Sequence, residues 1–397
     1  MQSDVLIIGA GIVGLATGYQ VVQEYPHLQV TIVEKEAHPC QHQSGHNSGV
    51  LHSGIYYRPG SVKALTCREG KRLMEAFCEQ EGIPFEICGK VIVATSEQEV
   101  PTLQMLHERG RANGVQCERI DSNRLRELEP HASGVEAIYV PETGIVDFSH
   151  VCERLVHRIT EANGTVLTHA KVTGIRESAA EVVVQTTQGE LTARYVVNCA
   201  GLYSDQIVRL SGHIPPAQIV PFRGEYYLLS PEARHLCCNL IYPVPDPRFP
   251  FLGVHFTRTV HGEVECGPNA VLAFAREGYH RLRINARDLW QTVRYPGFRR
   301  LARKYWRIGV AELWRSFSRG AFAYALQRLV PEVRPEHLIP APAGVRAQAV
   351  APDGSLLDDF VWMDTPRMVH VVNAPSPAAT ASLAIGKRIV ERLAQRF

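Results

Sequence analysis

The fold is decided by Asp4-Val-Leu-Ile-Ile-Gly9-Ala-Gly11-Ile-Val-Gly14, an apolar run that ends in three glycines spaced G-x-G-x-x-G. Residues 15–23 favour a helix, and Val30-Thr-Ile-Val-Glu34 is typical of a buried strand with an acid at its carboxyl end. The acid follows the last glycine by twenty residues. This order and spacing predict a βαβ unit that binds a dinucleotide, against the alternative of a glycine-rich turn without a ligand.

Each part of this unit has a physical role. Gly9 permits a tight turn, Gly11 lets the backbone approach a pyrophosphate, and Gly14 allows the helix to pack closely on the strand. The amide groups at the helix start attract phosphate, and Glu34 is placed to bind ribose hydroxyls, which favours an unphosphorylated adenosine. The residues assigned to this half of the site are Gly9, Ala10, Gly11, Ile12, Val13, Gly14, Glu34 and Lys35.

Length and composition limit the class of protein. A chain of 397 residues is expected to form two domains, and 45% hydrophobic with 21% charged residues is typical of a globular protein. The net charge of +2 predicts no general affinity for nucleic acid. No run of eighteen apolar residues occurs, so no membrane span is expected.

The ten cysteines form neither a C-x-x-C motif nor a Cys/His cluster with zinc spacing, which predicts free thiols in a reducing compartment and no metal site. The first predicted strand begins at Asp4, which leaves no room for a targeting peptide. These features predict a cytoplasmic protein.

The predicted elements suggest an α/β fold in which a Rossmann-like nucleotide-binding domain carries an inserted, mainly antiparallel β-sheet domain that holds the substrate. The nucleotide-binding domain is expected to be discontinuous, comprising residues 1–80, 145–215 and 340–397. The substrate domain is assigned to residues 81–144 and 216–339.

Three further segments are candidates for contact with a flat ligand. Residues 38–57 are rich in Gly, Ser and His, and His52 within them is as consistent with a structural histidine as with a functional one. The strand at 195–199 ends in Ala200-Gly201, which either returns the chain to the cofactor or makes an ordinary strand-to-helix turn. Residues 374–380 form a proline-containing loop before a helix, whose amide groups could stabilise negative charge.

A basic stretch at 298–330 has many arginines but only one acid, Glu312. Its interleaved aromatic residues are Tyr305, Trp306, Trp314, Phe317 and Phe322. Such a stretch can lie in a membrane interface, but the favoured interpretation is a solvated helical face whose aromatic side chains enter the core.

Taken together, the sequence resembles the D-amino-acid-oxidase-like superfamily of FAD enzymes, and more narrowly the L-2-hydroxyglutarate dehydrogenase/oxidase family. The resemblance extends from Val5 to Gly386, without the N-terminal extension of mitochondrial members, which fits a bacterial-type cytosolic form. The motifs that carry it are Ser44-Gly-His-Asn-Ser-Gly-Val-Leu-His-Ser-Gly-Ile-Tyr-Tyr57, Arg223-Gly-Glu-Tyr-Tyr227, His255-Phe-Thr-Arg258, residues 267–279, Arg315-Ser-Phe-Ser318, Gly344-Val-Arg-Ala-Gln348 and Asn373-Ala-Pro-Ser-Pro-Ala-Ala379.

The resemblance implies non-covalent FAD and oxidation of a 2-hydroxy dicarboxylate, with electrons passed to a quinone, another acceptor or oxygen. It adds to the cofactor site Gln43, Ser44, Gly45, Asn47, Ser48, Gly49, Val172, Ala200, Gly201, Ser376, Ala378, Ala379 and Thr380. Arg346 inherits the role of binding the substrate carboxylate, which suits the two parallel donors of a guanidinium.

The chemistry also calls for a base and for a second cationic anchor. His52 and His255 are the candidates for the base, with His52 favoured. Arg223, Arg258 and Tyr57 are the candidates for the distal carboxylate. Two alternatives remain: an amine or amino-acid oxidase of the same superfamily, and a non-catalytic FAD-binding module. An anionic membrane surface, on the inner face of the cell membrane, is a further candidate partner through the basic stretch.

Overall fold

The computed structural model describes residues 2–246 and 252–397; Met1 and residues 247–251, which the predicted domain ranges include, lie outside the described residues. The helices of this part of the chain are α1 (Ile12–Glu24), α2 (Val62–Glu81), α3 (Val100–Ala112), α4 (Ser122–Leu128), α5 (Phe148–Glu161), α6 (Ser204–Leu210), α7 (Ala286–Arg294), α8 (Pro296–Phe317), α9 (Arg319–Leu326) and α10 (Ser382–Ala394).

The strands are β1 (Gln2–Ile8), β2 (Val30–Val33), β3 (Val50–Leu51), β4 (Phe85–Glu86), β5 (Lys90–Ala94), β6 (Glu118–Asp121), β7 (Glu136–Val140), β8 (Gly144–Val146), β9 (Thr165–Leu167), β10 (Val172–Glu177), β11 (Val182–Thr186), β12 (Gly189–Asn198), β13 (Gln218–Gly224), β14 (Tyr227–Leu229), β15 (Leu240–Pro243), β16 (His255–Arg258), β17 (Val264–Gly267), β18 (Val271–Leu272), β19 (Leu338–Pro340), β20 (Gly344–Val350), β21 (Val361–Asp364) and β22 (Met368–Asn373).

A first sheet has a parallel centre in the order β9-β2-β1-β12-β22. Strands β10 and β11 extend it beside β12, and β21 pairs antiparallel with β22. Helices α1, α5 and α10 cover one face, and β1 is apolar on both faces because both are buried. Parallel pairing brings the carboxyl ends of these five strands to one edge, where ligands of such sheets bind.

A second sheet runs β19-β14-β17-β16-β15-β5-β7-β6 and is antiparallel except between β5 and β15. Because side chains alternate along a strand, its two faces differ. Val91 and Phe256 pack against Phe322 of α9, whereas Ile92 and Tyr242 belong to a cluster on the opposite face. That opposite face also carries the polar side chains described below.

Two three-stranded sheets join these layers, in the orders β18-β13-β20 and β3-β8-β4. The predicted fold class, a parallel-centred α/β unit with a mainly antiparallel second sheet, is confirmed. The first sheet draws its strands from the ranges proposed for the nucleotide-binding domain, and β19 crosses the proposed boundary at 339/340. The domain ranges remain a proposal.

Two expectations from the sequence need correction. The stretch at 298–330 is helical, but the interpretation that its aromatic residues enter the core is wrong for Trp306, Trp314 and Phe317, which are 60%, 68% and 69% exposed. Cys40 and Cys152 are joined as a disulfide, although free thiols had been expected throughout. Within the described residues, no helix combines the length and the apolarity needed to cross a membrane.

A buried ion pair connects the segment after β18 to the start of α6. Arg276 donates two hydrogen bonds to Asp205, at 2.6 and 2.9 Å, and a third to the carbonyl of Leu202. The two side chains are 3% and 1% exposed. Each charge is therefore stabilised mainly by the other, because water cannot reach them.

Replacing Asp205 by Asn should lower the free energy of unfolding by about 3–5 kcal/mol, because it leaves a buried guanidinium without its counter-charge. Urea denaturation of the holoenzyme measures the change. Glu127→Gln is the matched control, because it breaks the exposed pair with Arg124, which water screens, and should leave the stability nearly unchanged. Equal effects of the two substitutions would contradict the assignment of a stabilising role to the buried pair.

Candidate active site

A cavity of about 1450 Å³ extends from the carboxyl edge of the parallel sheet to the polar face of the antiparallel sheet. The loops after β1, β2, β12 and β22 line one end, and β13, β15, β16 and β20 line the other. Pockets for drug-sized ligands usually have volumes of about 300–1,000 Å³. This cavity is large enough for a dinucleotide and a second, smaller molecule.

The turn between β1 and α1 depends on its glycines. Gly9 has φ +104°, a conformation that favours glycine, and a Cβ there would lie 2.6 Å from the carbonyl oxygen of Cys199. A Cβ on Gly14 would lie 2.0 Å from the carbonyl oxygen of Gly9. The helix can therefore approach the strand only with glycine here, and its first turn faces the cavity.

Two side chains hold this turn in place. The amide of Ala10 donates to Glu34 Oε2 at 2.8 Å, and the amide of Ile12 donates to Ser44 Oγ at 2.9 Å. Glu34 Oε1 accepts from the amide of Glu36 at 3.0 Å, and the side chain is buried. The carboxylate is thus fixed at the end of β2, and each of its oxygens retains a lone pair for a ribose hydroxyl.

Lys35 lines the cavity, but its ammonium group bonds to Glu277 at 2.7 Å, to His42 at 3.0 Å and to Glu36. Burial lowers the pKa of Lys35, but the bonds with Glu277 and Glu36 outweigh it and raise the pKa. Glu36, His42 and Glu277 are close enough together to ligate a metal ion. The ammonium of Lys35 already supplies positive charge to this cluster.

The segment 43–49 follows the cavity wall. Gln43 Oε1 accepts from the amide of Ala347 at 3.0 Å, which connects this segment to β20. Asn47 donates to the carbonyl of Ser44 at 2.6 Å and accepts from the amide of Gly49 at 2.9 Å. These bonds fix the segment between the first sheet and β20.

Most of the predicted cofactor residues line the cavity: Gly9, Gly11, Ile12, Val13, Glu34, Lys35, Gln43, Ser44, Asn47, Ser48, Val172, Ala200, Gly201, Ser376, Ala378, Ala379 and Thr380. Four others, Ala10, Gly14, Gly45 and Gly49, are not among the lining residues. Gly45 and Gly49 allow close backbone packing, since a Cβ would lie 2.5 Å from the carbonyl oxygen of Cys40 and 2.6 Å from that of Val146, respectively.

The loop before α10 is connected to the segment that carries His52. Thr380 donates to the carbonyl of Val50 at 3.0 Å and accepts from the amide of His52 at 3.2 Å. Chain segments more than 300 residues apart in sequence therefore meet at the same end of the cavity.

Arg346 lies on β20 opposite Phe222 of β13, and its side chain faces the cavity. The guanidinium has accessible surface, but this surface faces the cavity rather than the outside of the protein. Burial lowers its pKa, and the field of Tyr226 opposes this shift. The side chain is thus enclosed by protein yet within reach of a ligand.

Both predicted histidines line the same end of the cavity. Burial, with the charges of Lys90, His255 and Lys63, lowers the pKa of His52 to about 3. Burial also lowers the pKa of His255 to about 4; Lys90 and Arg346 act in the same direction, whereas a bond to the Gly253 carbonyl opposes it. Both rings are therefore neutral at pH 7.

The tautomer of His255 follows from its hydrogen bond. Nδ1 lies 2.9 Å from the carbonyl oxygen of Gly253, so this nitrogen carries the proton. Nε2 is then the acceptor nitrogen. The ring packs on Tyr242, with 3.9 Å between ring centroids.

The predicted anchors for a distal carboxylate differ in placement. Arg223 lines the cavity but bonds at 3.0 Å to Glu225, which also pairs with Arg281. Its charge is only partly compensated, because one carboxylate serves two guanidinium groups. Arg258 is absent from the described cavity lining and pairs with Glu86, so it is not placed to bind a ligand there.

Tyr57 lines the cavity beneath the ammonium of Lys63, which lies 4.9 Å from its ring centroid. Burial raises the pKa of Tyr57 well above its usual range, so the phenol is neutral. It can donate a hydrogen bond to an anion but supplies no charge.

Several further side chains, none of them among the residues predicted from the sequence, lie at this end of the cavity: Tyr56, Lys63, Lys90, Tyr226 and Tyr242. One signal was available for Tyr242. Strand alternation places it on the face opposite Ile241, which belongs to the core packed on α9. No local signal identified Lys90, because a lysine at the start of an apolar strand usually extends into solvent.

Comparisons with known proteins give related enzymes over the whole chain. An L-2-hydroxyglutarate dehydrogenase of Indibacter alkaliphilus is 48% identical over 100% of both chains. The enzyme of that name from Escherichia coli K12 is 44% identical over 98% of this chain and 93% of its own. The human mitochondrial L-2-hydroxyglutarate dehydrogenase is 45% identical over 99% and 89%, respectively.

Solved structures share the fold at lower identity. L-alpha-glycerophosphate oxidase from Mycoplasma pneumoniae, with FAD bound, has a TM-score of 0.83 at 22% identity, over 99% of this chain and 95% of that one. Glycine oxidase from Geobacillus kaustophilus has a TM-score of 0.76 at 18% identity, over 100% and 95%. The sequence model of the family described as "FAD dependent oxidoreductase" matches residues 4–392 of this chain. The chain therefore belongs to the family of FAD-dependent oxidoreductases.

Proposed function

We propose that this protein oxidises L-2-hydroxyglutarate to 2-oxoglutarate. The observation that carries the proposal is the placement of Arg346 and two neutral histidines at one end of a cavity whose other end has a dinucleotide-binding geometry. The names of relatives at 44–48% identity supply the substrate and its hand. The match covers 100% of both chains for the relative from Indibacter alkaliphilus, which supports assigning the same activity to this protein.

The residues present fit FAD, the cofactor of the family. The glycine turn leaves room for a pyrophosphate at the start of α1, and the fixed carboxylate of Glu34 suits the adenosine ribose. Residues 43–49 and 376–380 would hold the flavin end. FAD held by these residues would supply the two-electron acceptor, at flavin N5, for the hydride from C2 of the substrate, with a quinone, another acceptor or oxygen as the final oxidant.

On the protein side, Arg346 would hold the carboxylate next to the reacting carbon through two parallel hydrogen bonds, which fixes the orientation of C2. A histidine would take the hydroxyl proton as the C2 hydride leaves, so that the alcohol becomes a ketone. We assign this step to His52, because its amide is bonded to Thr380 in the loop before α10, which would hold the flavin end. The hydroxyl has only this one proton, so His255, whose free nitrogen Nε2 is also an acceptor, would not share it and would instead form the cavity wall beside the substrate.

The alternatives have less support. An amine substrate would carry a positive charge into a cavity end that contains Arg346 and lies close to Lys90, both cationic when protonated. A non-catalytic FAD module would not need neutral histidines beside a guanidinium. Flavin that stays oxidised with every 2-hydroxy acid would favour that second alternative.

Replacing Glu34 by Ala should weaken FAD binding roughly 10- to 100-fold, because it removes charge-assisted bonds of about 1.5–3 kcal/mol. Titration of the apoprotein with FAD, followed by flavin fluorescence, gives the dissociation constant. Glu24→Ala, at the exposed end of α1, is the control and should bind FAD as the unmodified protein does. An unchanged constant for the Glu34 variant would remove this residue from the site.

Anaerobic mixing of the holoenzyme with L-2-hydroxyglutarate should bleach the oxidised flavin band, whereas the D-isomer and glycine should not. Arg346→Met should lower the second-order rate constant of bleaching at least roughly 100-fold, since it removes a bidentate bond worth about 3 kcal/mol. Arg346→Lys should restore only part of the loss, because an ammonium lacks the planar fork.

Single variants separate the two histidines. His52→Gln should slow bleaching at saturating substrate by about 10²–10⁴-fold, as expected for loss of a general base. His255→Gln should mainly raise the substrate concentration at which bleaching reaches half of its maximal rate. The reverse pattern would transfer the role of base to His255, and bleaching by glycine alone would make the protein an amine oxidase.

We also propose that the second part of α8 docks on an anionic membrane surface. The helix bends at Tyr305 (φ −117°, ψ 15°), and beyond the bend one exposed stripe of apolar side chains follows helical spacing. This apolar stripe consists of Trp306, Val310, Leu313, Trp314 and Phe317. Five cations precede or border it: Arg299, Arg300, Arg303, Lys304 and Arg307. Since Glu312 is buried against Arg315, the exposed charge is positive and complements anionic lipid.

The triple variant Trp306→Ser, Trp314→Ser and Phe317→Ser should reduce sedimentation with phosphatidylglycerol vesicles at least about tenfold, because each buried aromatic side chain contributes about 1.5–3 kcal/mol. The unmodified protein should bind vesicles of phosphatidylcholine weakly, and added salt should release it from the anionic ones. Ile214→Ser is the control, since Ile214 is exposed elsewhere. If the stripe instead joins two copies of the chain, the unmodified protein should be a dimer that does not bind vesicles. The triple variant should then be a monomer.

A further inference from the structure

We infer that the buried ammonium group of Lys90 makes the substrate end of the cavity selective for dicarboxylates. This inference rests on the proposed function and assigns a specificity role to a side chain that lies behind the cavity wall. Lys90 would act through its charge and through the aromatic rings it holds, without touching the ligand.

Lys90 is the first residue of β5 and is only 1% exposed. Its Nζ has no hydrogen-bond partner among residues 2–246 and 252–397. It lies 4.7 Å from the ring centroid of Tyr56 and 5.0 Å from that of Tyr242. Both rings line the cavity, so a single layer of aromatic side chains separates the ammonium from a ligand.

The other buried lysines show why this one is unusual. Lys63 pairs with Asp358 at 3.0 Å, and Lys71 pairs with Glu75. Buried charges in proteins are normally compensated in this way, because an isolated one is costly. For Lys90, only the faces of two aromatic rings replace a counter-ion.

None of the described groups near Lys90 is fully ionised as an anion at neutral pH. The Cys67 thiol of α2 faces it, but burial raises the pKa of that thiol to about 12. Glu265 acts on the neighbouring Tyr242, but burial raises its pKa to about 7, so it is only partly ionised at neutral pH. His52, His255 and Arg346 add no anion. A doubly charged ligand would therefore supply the missing counter-charge: one carboxylate at Arg346 and the other in the field of Lys90.

The titration of Lys90 gives this idea a direct readout. Burial lowers its pKa to about 7, so the group is largely charged below pH 7 and largely neutral above it. Affinity for a dianion should therefore fall as the pH rises through about 7. The same positive charge contributes to the low pKa of His52 and of His255.

The test compares Lys90→Met and Lys90→Arg with the unmodified holoenzyme, using L-2-hydroxyglutarate and L-2-hydroxyvalerate, which has a methyl group in place of the distal carboxylate. In Lys90→Met, kcat/KM should fall about 10- to 30-fold more for the dicarboxylate than for the monocarboxylate, mainly through KM, as expected for one unit charge in a partly desolvated site. Lys90→Arg should restore the selectivity.

The pH profile should change with the variants. For the unmodified enzyme, kcat/KM for L-2-hydroxyglutarate should fall as the pH rises through about 7. Lys90→Met should lack this fall, and Lys90→Arg should move it to higher pH. Equal losses for both substrates in Lys90→Met, with the fall near pH 7 retained, would overturn the inference.

Two measurements keep the result independent of folding and of the proposed reaction. Lys90→Met should melt at the same temperature as the unmodified holoenzyme or higher, because it removes an unpaired buried cation. Lys71→Met, the matched control, removes a paired lysine, so it should melt at a lower temperature and keep the selectivity for dicarboxylates. Binding of glutarate and of valerate, followed by the change in the oxidised flavin spectrum, measures charge selectivity without turnover. If no 2-hydroxy acid bleaches the flavin, the proposed reaction fails; in that case binding alone tests the inference about Lys90, which fails if Lys90→Met leaves the preference for glutarate unchanged.

Discussion

The close approach of α1 to β1 is the constraint on which the rest of the structure depends. No side chain larger than hydrogen fits at Gly14, because the carbonyl of Gly9 occupies that space. The same helix packs on α10, where a Cβ on Gly386 would lie 2.8 Å from the backbone of Ala16. Only at this spacing do the start of α1, the carboxylate of Glu34 and the loop before α10 share one edge of the sheet. The cofactor site is thus a result of packing as much as of its polar groups.

Electrostatics divide the cavity into two regions. Around the nucleotide end, Lys35 is paired with Glu277 and Arg276 with Asp205, whereas the buried carboxylate of Glu34 is held by backbone amides. Such pairs fix positions but leave little net field. At the opposite end, the described acids are few and the pKa values of two histidines and one lysine are lowered, which is the pattern expected where a ligand brings negative charge. At this end of the cavity, the negative charge that would balance the protein's cations is expected to come from the substrate.

Features that are determined by residues close together in the sequence could be predicted, and features that depend on distant segments could not. The βαβ unit follows from spacings within one segment, and its fold class is confirmed. Arg258 was assigned to the site with His255, although residues three apart on a strand lie on opposite faces, so alternation alone could have separated them. Lys90 could not be recognised, because the rings that bury it belong to distant segments. The exposure of Trp306 likewise depends on which helices lack a neighbour, which periodicity does not reveal.

The order of strands in the parallel sheet has a consequence for biosynthesis. Strand β22, formed by residues 368–373, completes the sheet beside β12, and the loop that follows it completes the cofactor site. A ribosome adds about 5–20 residues per second, so the N-terminal half waits many seconds for its last strand. During that interval the nascent chain presents an open sheet edge and an incomplete cavity. The complete cofactor site therefore forms only after residues 368–380 have been synthesised, and shorter chains are expected to be substrates for chaperones and proteases.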